Sequence, residues 1–255
     1  MIKVNYIARL GNRLFTYCFG RILAEELGYE LVAEPIKGFL GTYKKIRGQR
    51  YESPEVIYNQ TDLPDLKEIL NDKTPRKITV QAYLQRYHYY EKYTDKIRND
   101  WLKLDPLPDG AGPNDIVVSI RLGDFIKINW ALSLSFYHNI IDQIQAEGVL
   151  GKIFIVSDEI NSPLLNSFKK HGAIFIDKDP IDQLRLMKTA GYIVMSTSTF
   201  SWWGAFLSSA HKVYFPIPIH GSWSENSGKS HRVNESRYVY IENVPPISWD
   251  ISKYN

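Results

Sequence analysis

The chain has 255 residues, enough for two medium domains or one large one, and is 44% hydrophobic and 23% charged, as is ordinary for a soluble globular protein. Its net charge of +3 is too small an excess to indicate nucleic acid as a partner. A single cysteine excludes an internal disulfide and a zinc site built from cysteines. No apolar run reaches the roughly 18 residues of a membrane span, and the first residues lack the apolar core of a signal peptide. We therefore expect a cytoplasmic protein, with work at the inner membrane surface left open.

The first hundred residues predict one β-α-β unit followed by less regular chain. IKVNYIA predicts a buried strand, and apolar residues at helical spacing predict a helix from about Leu14 to Leu27, ended by Gly28. YELVAE predicts a second strand. Residues 36–76 predict irregular chain with one short helix in DLPDLKEILND. After them, KITVQAYL predicts a strand and HYYEKYTDKIRNDWL a helix.

A break rich in proline and glycine, DPLPDGAGPND at residues 105–115, separates the two halves of the chain. Beyond it, apolar strands (DIVVSI, KIFIVSD, AIFID, YIVMS and, as the last strand, KVYFP) alternate with helices (SLSFYHNIIDQIQAEG, SPLLNSFKKHG, DPIDQLRLMKTAG and FSWWGAFLSSA). This alternation predicts a parallel, doubly wound sheet. We therefore predict an α/β protein of two facing Rossmann-like domains, residues 1–108 and 109–255, with a cleft between them.

Two turns after predicted strands carry polar side chains that a substrate could reach. In RLGNRLF, Gly11 permits a tight turn near a ligand and Asn12 could bond a hydroxyl or phosphate; a glycine turn with Asn12 as a helix cap is the simpler alternative. In SIRLGDF, Arg121 follows a buried strand, and its planar cation with five donors suits a diphosphate. Asp124 could orient Arg121 or meet a sugar hydroxyl. The alternative is a purely structural Arg–Asp pair.

Two predicted helix starts form a second group of candidates. Asp179, followed by proline, predicts an N-cap, and Asp182 stands where a capping box has its acidic residue. Capping alone explains that segment, while the functional alternative has Asp182 accepting N–H groups of guanine. In VMSTSTFSWWGAF, the residues Ser198, Thr199 and Ser201 open a helix after a strand, an arrangement that suits an anion bound by backbone N–H groups.

Other motifs point to no further chemistry. The six histidines show no metal-ligand spacing, and GSWSENSGKS has too many residues between its glycines for a P-loop. No metal or cofactor is predicted. The basic stretch GTYKKIRGQRYE, residues 41–52, is most simply a solvated loop, and contact with an anionic acceptor or a membrane surface is the alternative.

Taken in order, these segments resemble the α-1,2-fucosyltransferases of glycosyltransferase family 11. RLGNRLFTYCFGRILAEELGYEL is similar to the family's opening GLGNQMFQYAFGRxLA, and SIRLGDF stands where the family has HIRRGDY. IFIVSDE resembles its FSDD-like strand end, and DQLRLMKTAGYIVMSTSTFSWWGAFL resembles DLxLMSxCxHxIxANSSFSWWGAWL. The resemblance covers nearly the whole chain, and the FSWWGA block is its most specific match.

The resemblance implies a GT-B fold and a metal-independent, inverting transfer of fucose from GDP-fucose to an oligosaccharide or glycolipid acceptor, with galactose O2 as the expected hydroxyl. Residues 1–108 would form the acceptor side, and residues 109–255 would bind the nucleotide sugar. The implied site comprises Gly11 and Asn12 near the transferred sugar or acceptor, Arg121 on the β-phosphate, Asp158 near the ribose, Asp182 on guanine, and Ser198, Thr199, Phe200 and Ser201 on the phosphates. The resemblance assigns no general base; among the residues beside Arg121, Asp124 is the possible one.

Three residues depart from the family's arginine motif. Ser119, Leu122 and Phe125 replace its histidine, its second arginine and its tyrosine. These departures keep two alternatives open: a related transferase that uses another nucleotide-deoxysugar, and a non-catalytic relative that binds a nucleotide or a glycan.

Overall fold

The computed structural model describes residues 1–59, 65–225 and 231–251, and the chain divides into two compact units. Unit 1 comprises Met1–Lys103 with His231 and Arg232. Unit 2 comprises Leu104–Lys229 and Val233–Asn255, so far as they are described. The division falls beside the Pro/Gly-rich break. The assignment of residues 1–108 to the acceptor and 109–255 to the donor stays a prediction.

Unit 1 is a parallel four-stranded sheet with one long helix. Its elements are β1 Ile2–Val4, α1 Leu10–Leu27, β2 Leu31–Val32, β3 Glu55–Tyr58, α2 Leu66–Asn71 and β4 Lys77–Val80. The strand order is β2-β1-β4-β3, and every pairing is parallel. β3 lies in the stretch predicted to be irregular. That prediction was wrong because β3 is an edge strand whose residues alternate between exposed and half-buried, which leaves little apolar signal.

The segment after β4 is not the single helix that the sequence predicts. It consists of 3-10 turns at Tyr87–Tyr89 and Glu91–Tyr93, one α-helical turn at Thr94–Lys96 and a π-helical turn at Ile97–Trp101. Its aromatic side chains fill the core of unit 1: Tyr89 meets Phe19 edge-on with ring centres 5.1 Å apart, and the Tyr90 hydroxyl donates to the Leu84 carbonyl at 2.8 Å. Burial of these rings overrides the helical spacing.

Unit 2 is a doubly wound parallel sheet of six strands. Its elements are β5 Ile116–Ile120, α3 Gly123–Lys127, α4 Leu134–Ala146, β6 Ile153–Ser157, a 3-10 helix Pro163–His171, β7 Ile174–Phe175, α5 Pro180–Met187, β8 Tyr192–Val194, α6 Thr199–Leu207, β9 Lys212–Pro218, β10 Tyr238–Val244 and α7 Ser248–Ile251. The strand order is β10-β9-β8-β5-β6-β7. The predicted fold class, α/β with two Rossmann-like units of parallel strands, is confirmed.

One strand of unit 2 was missed. β9, the KVYFP strand, is followed by β10, which pairs with it in parallel at the edge of the sheet. Most residues of β10 are half-buried or exposed, so its sequence lacks the continuous apolar run of the inner strands.

The order of strands reverses at β5. In the sheet, β6 and β7 lie on one side of β5, and β8, β9 and β10 lie on its other side. All five residues of β5 are buried, as expected of a parallel strand covered on both faces. Ligands of such sheets bind outside the carboxyl ends of the strands at the reversal, which here means the ends of β5 and β8.

The N-terminus of α4 is capped by a carboxylate from α7. Asp250 accepts hydrogen bonds from the hydroxyls of Ser133 and Ser135, each at 2.8 Å, and from the backbone N–H of Leu134. The cap residue Ser133 makes no side-chain cap of its own. A segment far along the chain thus completes this helix.

Within the described residues, no helix has the length and apolarity needed to cross a bilayer.

Candidate functional site

Arg121 is the first residue after β5, and two carboxylates hold its guanidinium. Nη1 lies 3.0 Å from Asp158 Oδ2, and Nη2 lies 2.6 Å from Asp124 Oδ1. The arginine side chain is only 16% exposed, and its Cζ lies over the Phe125 ring, 5.2 Å from the ring centre. The cation is therefore fixed in place at the strand reversal, where a ligand is expected.

Asp158 reaches Arg121 from the neighbouring strand. Ile120 pairs with Ser157 in the β5–β6 register, so the residues that follow them, Arg121 and Asp158, leave the sheet side by side. Oδ1 of Asp158 accepts the Leu122 backbone N–H at 2.9 Å, while Oδ2 accepts from Arg121. Both oxygens are engaged in holding the turn. The ribose contact that the resemblance implies for Asp158 stays a prediction.

Gly123 is needed for this close approach. A Cβ at that position would overlap with Asp158 Oδ2, well inside van der Waals contact. The requirement is steric, since Gly123 is not among the residues with left-handed backbone angles. Sequence reasoning missed Gly123, because the clash depends on a residue 35 positions away in the chain.

Arg121 keeps donors for a ligand. Two of its five N–H groups are engaged by carboxylates, and its buried Nε has no hydrogen-bond partner among the described residues. A buried polar group of this kind costs free energy unless an acceptor arrives. Leu122, where the family motif has a second arginine, is fully buried in the apolar core and adds no charge.

The turn between β8 and α6 is built by its own hydroxyls. Ser198 Oγ accepts the Ser201 backbone N–H at 3.1 Å, and Ser201 Oγ accepts the Ser196 N–H at 3.1 Å. Ser201 is fully buried, so its hydroxyl supports the turn rather than facing solvent. The backbone N–H groups of Thr199 and Phe200 have no partner among the described residues. They are the groups that this helix start can offer to an anion.

Asp182 lies in the first turn of α5, the helix that follows β7. Asp179 is the N-cap, accepting the N–H groups of Ile181 at 2.8 Å and Asp182 at 3.1 Å. The side chain of Asp182 does not complete a capping box; its Oδ1 accepts from Arg185 Nη1 at 3.2 Å. Oδ2 has no partner among the described residues, so Asp182 retains an acceptor for a base N–H.

Gly11 and Asn12 lie in the first turn of α1 in unit 1. The cap position of that helix is Arg9, so the interpretation of Asn12 as an N-cap was wrong. Gln85 Nε2 donates to Asn12 Oδ1 at 2.6 Å, and Gln85 Oε1 lies 3.4 Å from His231 Nε2. With its oxygen occupied, Asn12 is left with its amide N–H groups to donate to a substrate oxygen.

Arg13 is a second residue that the sequence reasoning did not single out as a site. Its Cζ lies over the Tyr6 ring, 4.8 Å from the ring centre, and its buried Nε has no partner among the described residues. The buried, unpartnered Nε of a stacked arginine is a signal that only the structure provides.

As for metals, the described residues contain no group of three His, Cys, Asp or Glu side chains placed to hold an ion.

Comparison with known proteins identifies a family. The model described as Glycosyl transferase family 11 matches residues 70–242. Fucosyltransferase NodZ from Bradyrhizobium is 12% identical, with 83% of this chain and 94% of that chain covered and a TM-score of 0.49. POFUT1 in complex with GDP is 12% identical, with 81% and 94% covered and a TM-score of 0.48. No curated protein sequence matches significantly.

Structural similarities this weak identify no substrate, whereas the family match extends over more than half of the chain. The matched residues include Arg121, Asp158, Asp182 and the turn at Ser198. The resemblance stated from the sequence is confirmed, and the chain belongs to glycosyl transferase family 11.

Proposed function

We propose that the protein transfers fucose from GDP-fucose to a hydroxyl of a glycan acceptor, with inversion at the anomeric carbon. Family membership supports sugar transfer, and the resemblance to α-1,2-fucosyltransferases supports fucose as the sugar and galactose O2 as the acceptor hydroxyl. The observation that carries the proposal is Arg121, a fixed cation at the strand reversal whose buried Nε has no acceptor within the described part of the chain.

Displacement proceeds in one step. The acceptor oxygen bonds to the anomeric carbon while the bond from that carbon to the β-phosphate oxygen breaks, and the electron pair of the broken bond stays on GDP. Negative charge therefore grows on the β-phosphate in the transition state. Arg121 is already oriented by Asp158, so it stabilises that charge without reorganising.

The other site residues take complementary roles in this proposal. The N–H groups of Thr199 and Phe200, at the start of α6, donate to the diphosphate. Asp182 Oδ2 accepts the guanine N–H groups, and Asn12 donates to the transferred sugar or the acceptor. Because Arg121 and the helix start supply positive charge to the leaving group, we propose that no metal ion is required.

The acceptor proton needs a destination. Asp124, with a side chain 55% exposed beside Arg121, is our candidate base. A transition state in which the bond to GDP breaks early requires little help from a base, so we expect Asp124 to contribute less than Arg121.

A second candidate function rests on two buried side chains. Ser119 replaces the histidine of the family motif and is 3% exposed, and Leu122 replaces its second arginine and is fully buried. Neither position therefore offers a ligand the polar group that the family motif has there. This favours a related transferase with another nucleotide-deoxysugar, or a binding protein without catalysis. GDP binding without sugar transfer or donor hydrolysis would support the latter.

The test combines ligand binding with turnover. GDP and GDP-fucose should raise the melting temperature, while UDP and TDP compounds should not. Arg121→Ala should lower GDP release from GDP-fucose at least a hundredfold, the scale of losing one preorganised donor. Arg50→Ala is the matched control, because Arg50 also bridges two carboxylates, Glu30 and Glu52, in unit 1. Activity of Arg121→Ala within about threefold of wild type would contradict the assigned role.

A further inference from the structure

Positive charge is concentrated in the first part of the chain. Residues 1–103 contain 18 Lys and Arg against 13 Asp and Glu, so they carry +5 while the remainder carries −2. Within them, residues 35–51 contain five basic residues and no acidic one. The excess is therefore local, which suggests an electrostatic role for this segment.

In the structure, residues 37–47 of this segment form a loop, here called the basic loop, in which exposed apolar side chains lie between cationic ones. Its centre is a 3-10 turn, Leu40–Tyr43, in which Leu40 is 77% exposed and Tyr43 is 55% exposed. Lys37, Lys45 and Arg47 are exposed and form no ion pair with any described residue. Large exposed apolar side chains beside unpaired cations are typical of an interaction surface rather than of a solvated turn.

The basic loop is held rigidly from below. Arg21, only 3% exposed, donates to the Gly41 carbonyl at 2.9 Å, and the Thr42 hydroxyl accepts the Ile36 N–H at 2.9 Å. A Cβ on Gly41 would overlap with the Asp100 carbonyl, so the turn sits directly on the chain beneath it. Because Phe39 is fully buried while Leu40 points out, the exposure of Leu40 is imposed by this anchoring.

We propose that the basic loop docks the protein on a membrane surface of anionic lipids. Lys37, Lys45 and Arg47 contact the headgroups, and Leu40 and Tyr43 enter the interface between headgroups and acyl chains. Leu40 favours a membrane over a soluble acidic glycan as the partner, because a glycan in water offers little apolar surface to bury an exposed leucine. The inference is independent of the donor sugar and would place the enzyme beside membrane-borne acceptors.

The test is co-sedimentation of the full chain with vesicles of phosphatidylcholine alone and of phosphatidylcholine with about 30% phosphatidylglycerol, a content chosen to give a clearly negative surface. We expect binding only to the anionic vesicles, weakened by salt. Lys37→Gln/Lys45→Gln should bind roughly thirtyfold more weakly, and Leu40→Ser about tenfold. Since these side chains are exposed, the variants should keep the melting temperature of the wild type.

Matched controls come from unit 2. Leu150, 86% exposed, is the control for Leu40, and the exposed pair Lys169 and Lys170 is the control for the two lysines. Leu150→Ser and Lys169→Gln/Lys170→Gln should bind anionic vesicles as wild type does. Failure of the wild type to sediment, or equal losses in the controls, would overturn the proposal. So would release by a soluble polyuronate combined with unchanged binding of Leu40→Ser, which would indicate an acidic glycan partner instead.

Discussion

Replacing Gly123 by alanine tests whether Asp158 holds Arg121 in its working orientation. The new Cβ would overlap with Asp158 Oδ2, the atom that accepts from Arg121 Nη1 at 3.0 Å. The carboxylate is the free end of a side chain, so it can rotate away while the backbone stays in place. Gly123→Ala should therefore misalign Arg121 without unfolding unit 2.

The magnitude follows from the lost hydrogen bond. Arg121 and Asp158 are 16% and 19% exposed, so their charge-assisted bond is mostly shielded from water and is worth about 1.5–3 kcal/mol. If that much transition-state stabilisation is lost, turnover falls about ten- to hundredfold. Gly123 is the first residue of α3, so the higher helix propensity of alanine offsets less than about 1 kcal/mol of the lost pair in the free energy of unfolding.

The assay is GDP release from GDP-fucose, measured beside the melting temperature. Gly112→Ala is the matched control, because a Cβ there would meet Asp115 at an ordinary 3.5 Å. In an Asp158→Ala background, Gly123→Ala should cause no further loss, since the clash has gone. Turnover of Gly123→Ala within about threefold of wild type, in a folded protein, would refute the view that Asp158 positions Arg121 for catalysis.

Three further predictions concern stability and reactivity. Asp250→Asn should cost about 1 kcal/mol of unfolding free energy at pH 7, because two hydroxyls and a backbone N–H lose a charged acceptor. Burial opposes ionisation, but hydrogen bonds from Ser135 and Ser133 keep the pKa of Asp250 below its ordinary value. In a pH series of urea denaturations the difference in unfolding free energy between wild type and variant should therefore shrink below about pH 4 and vanish below the folded pKa. His138 Nδ1 lies 2.8 Å from His171 Nε2, and burial lowers the pKa of both histidines, that of His138 to about 4. The unfolded chain therefore binds more protons than the folded one, and the melting temperature should fall from pH 7 to pH 4.5. The fall should be less steep in His138→Gln, and an equal slope in wild type and variant would contradict the interpretation. Burial raises the pKa of the Cys18 thiol, so a thiol reagent should label it only after denaturation, and rapid labelling of the native protein would show that the core of unit 1 opens.

The parts of the fold that the sequence predicts well are those whose local pattern agrees with their burial. β5 is apolar except for Ser119 because both of its faces are covered, and Gly28 ends α1 with a left-handed φ of 68°. β3 and β10 are edge strands with one exposed side, so their pattern is weak. In the tyrosine-rich segment 87–101 the apolar residues have helical spacing, but contacts with residues distant in the chain bury its aromatic rings. Those contacts cannot be inferred from the spacing.

The candidate site shows the same limit. The placement of Arg121 after a buried strand can be predicted from SIRLGDF alone. Its partnership with Asp158 depends on the pairing of Ile120 with Ser157, a register between strands that no local pattern contains. The steric need for Gly123 follows from that register as well. Asp182 and Ser198 were recognised at helix starts, yet only the structure separates an oxygen used in a cap from one left for a ligand.

The strand order of unit 2 distributes its candidate groups over separate connections. Arg121 and Asp124 follow β5, Asp158 follows β6, Asp182 stands after β7, and the turn at Ser198 follows β8. The connections after β5 and β6 are joined by the Arg121–Asp158 ion pair, while the side chain of Asp182 pairs with Arg185 of its own helix, α5. If Asp182 contacts the nucleobase as proposed, a library confined to the first turn of α5 should alter nucleobase preference while leaving the ion pairs of Arg121 intact, which would make donor choice a separable trait for engineering.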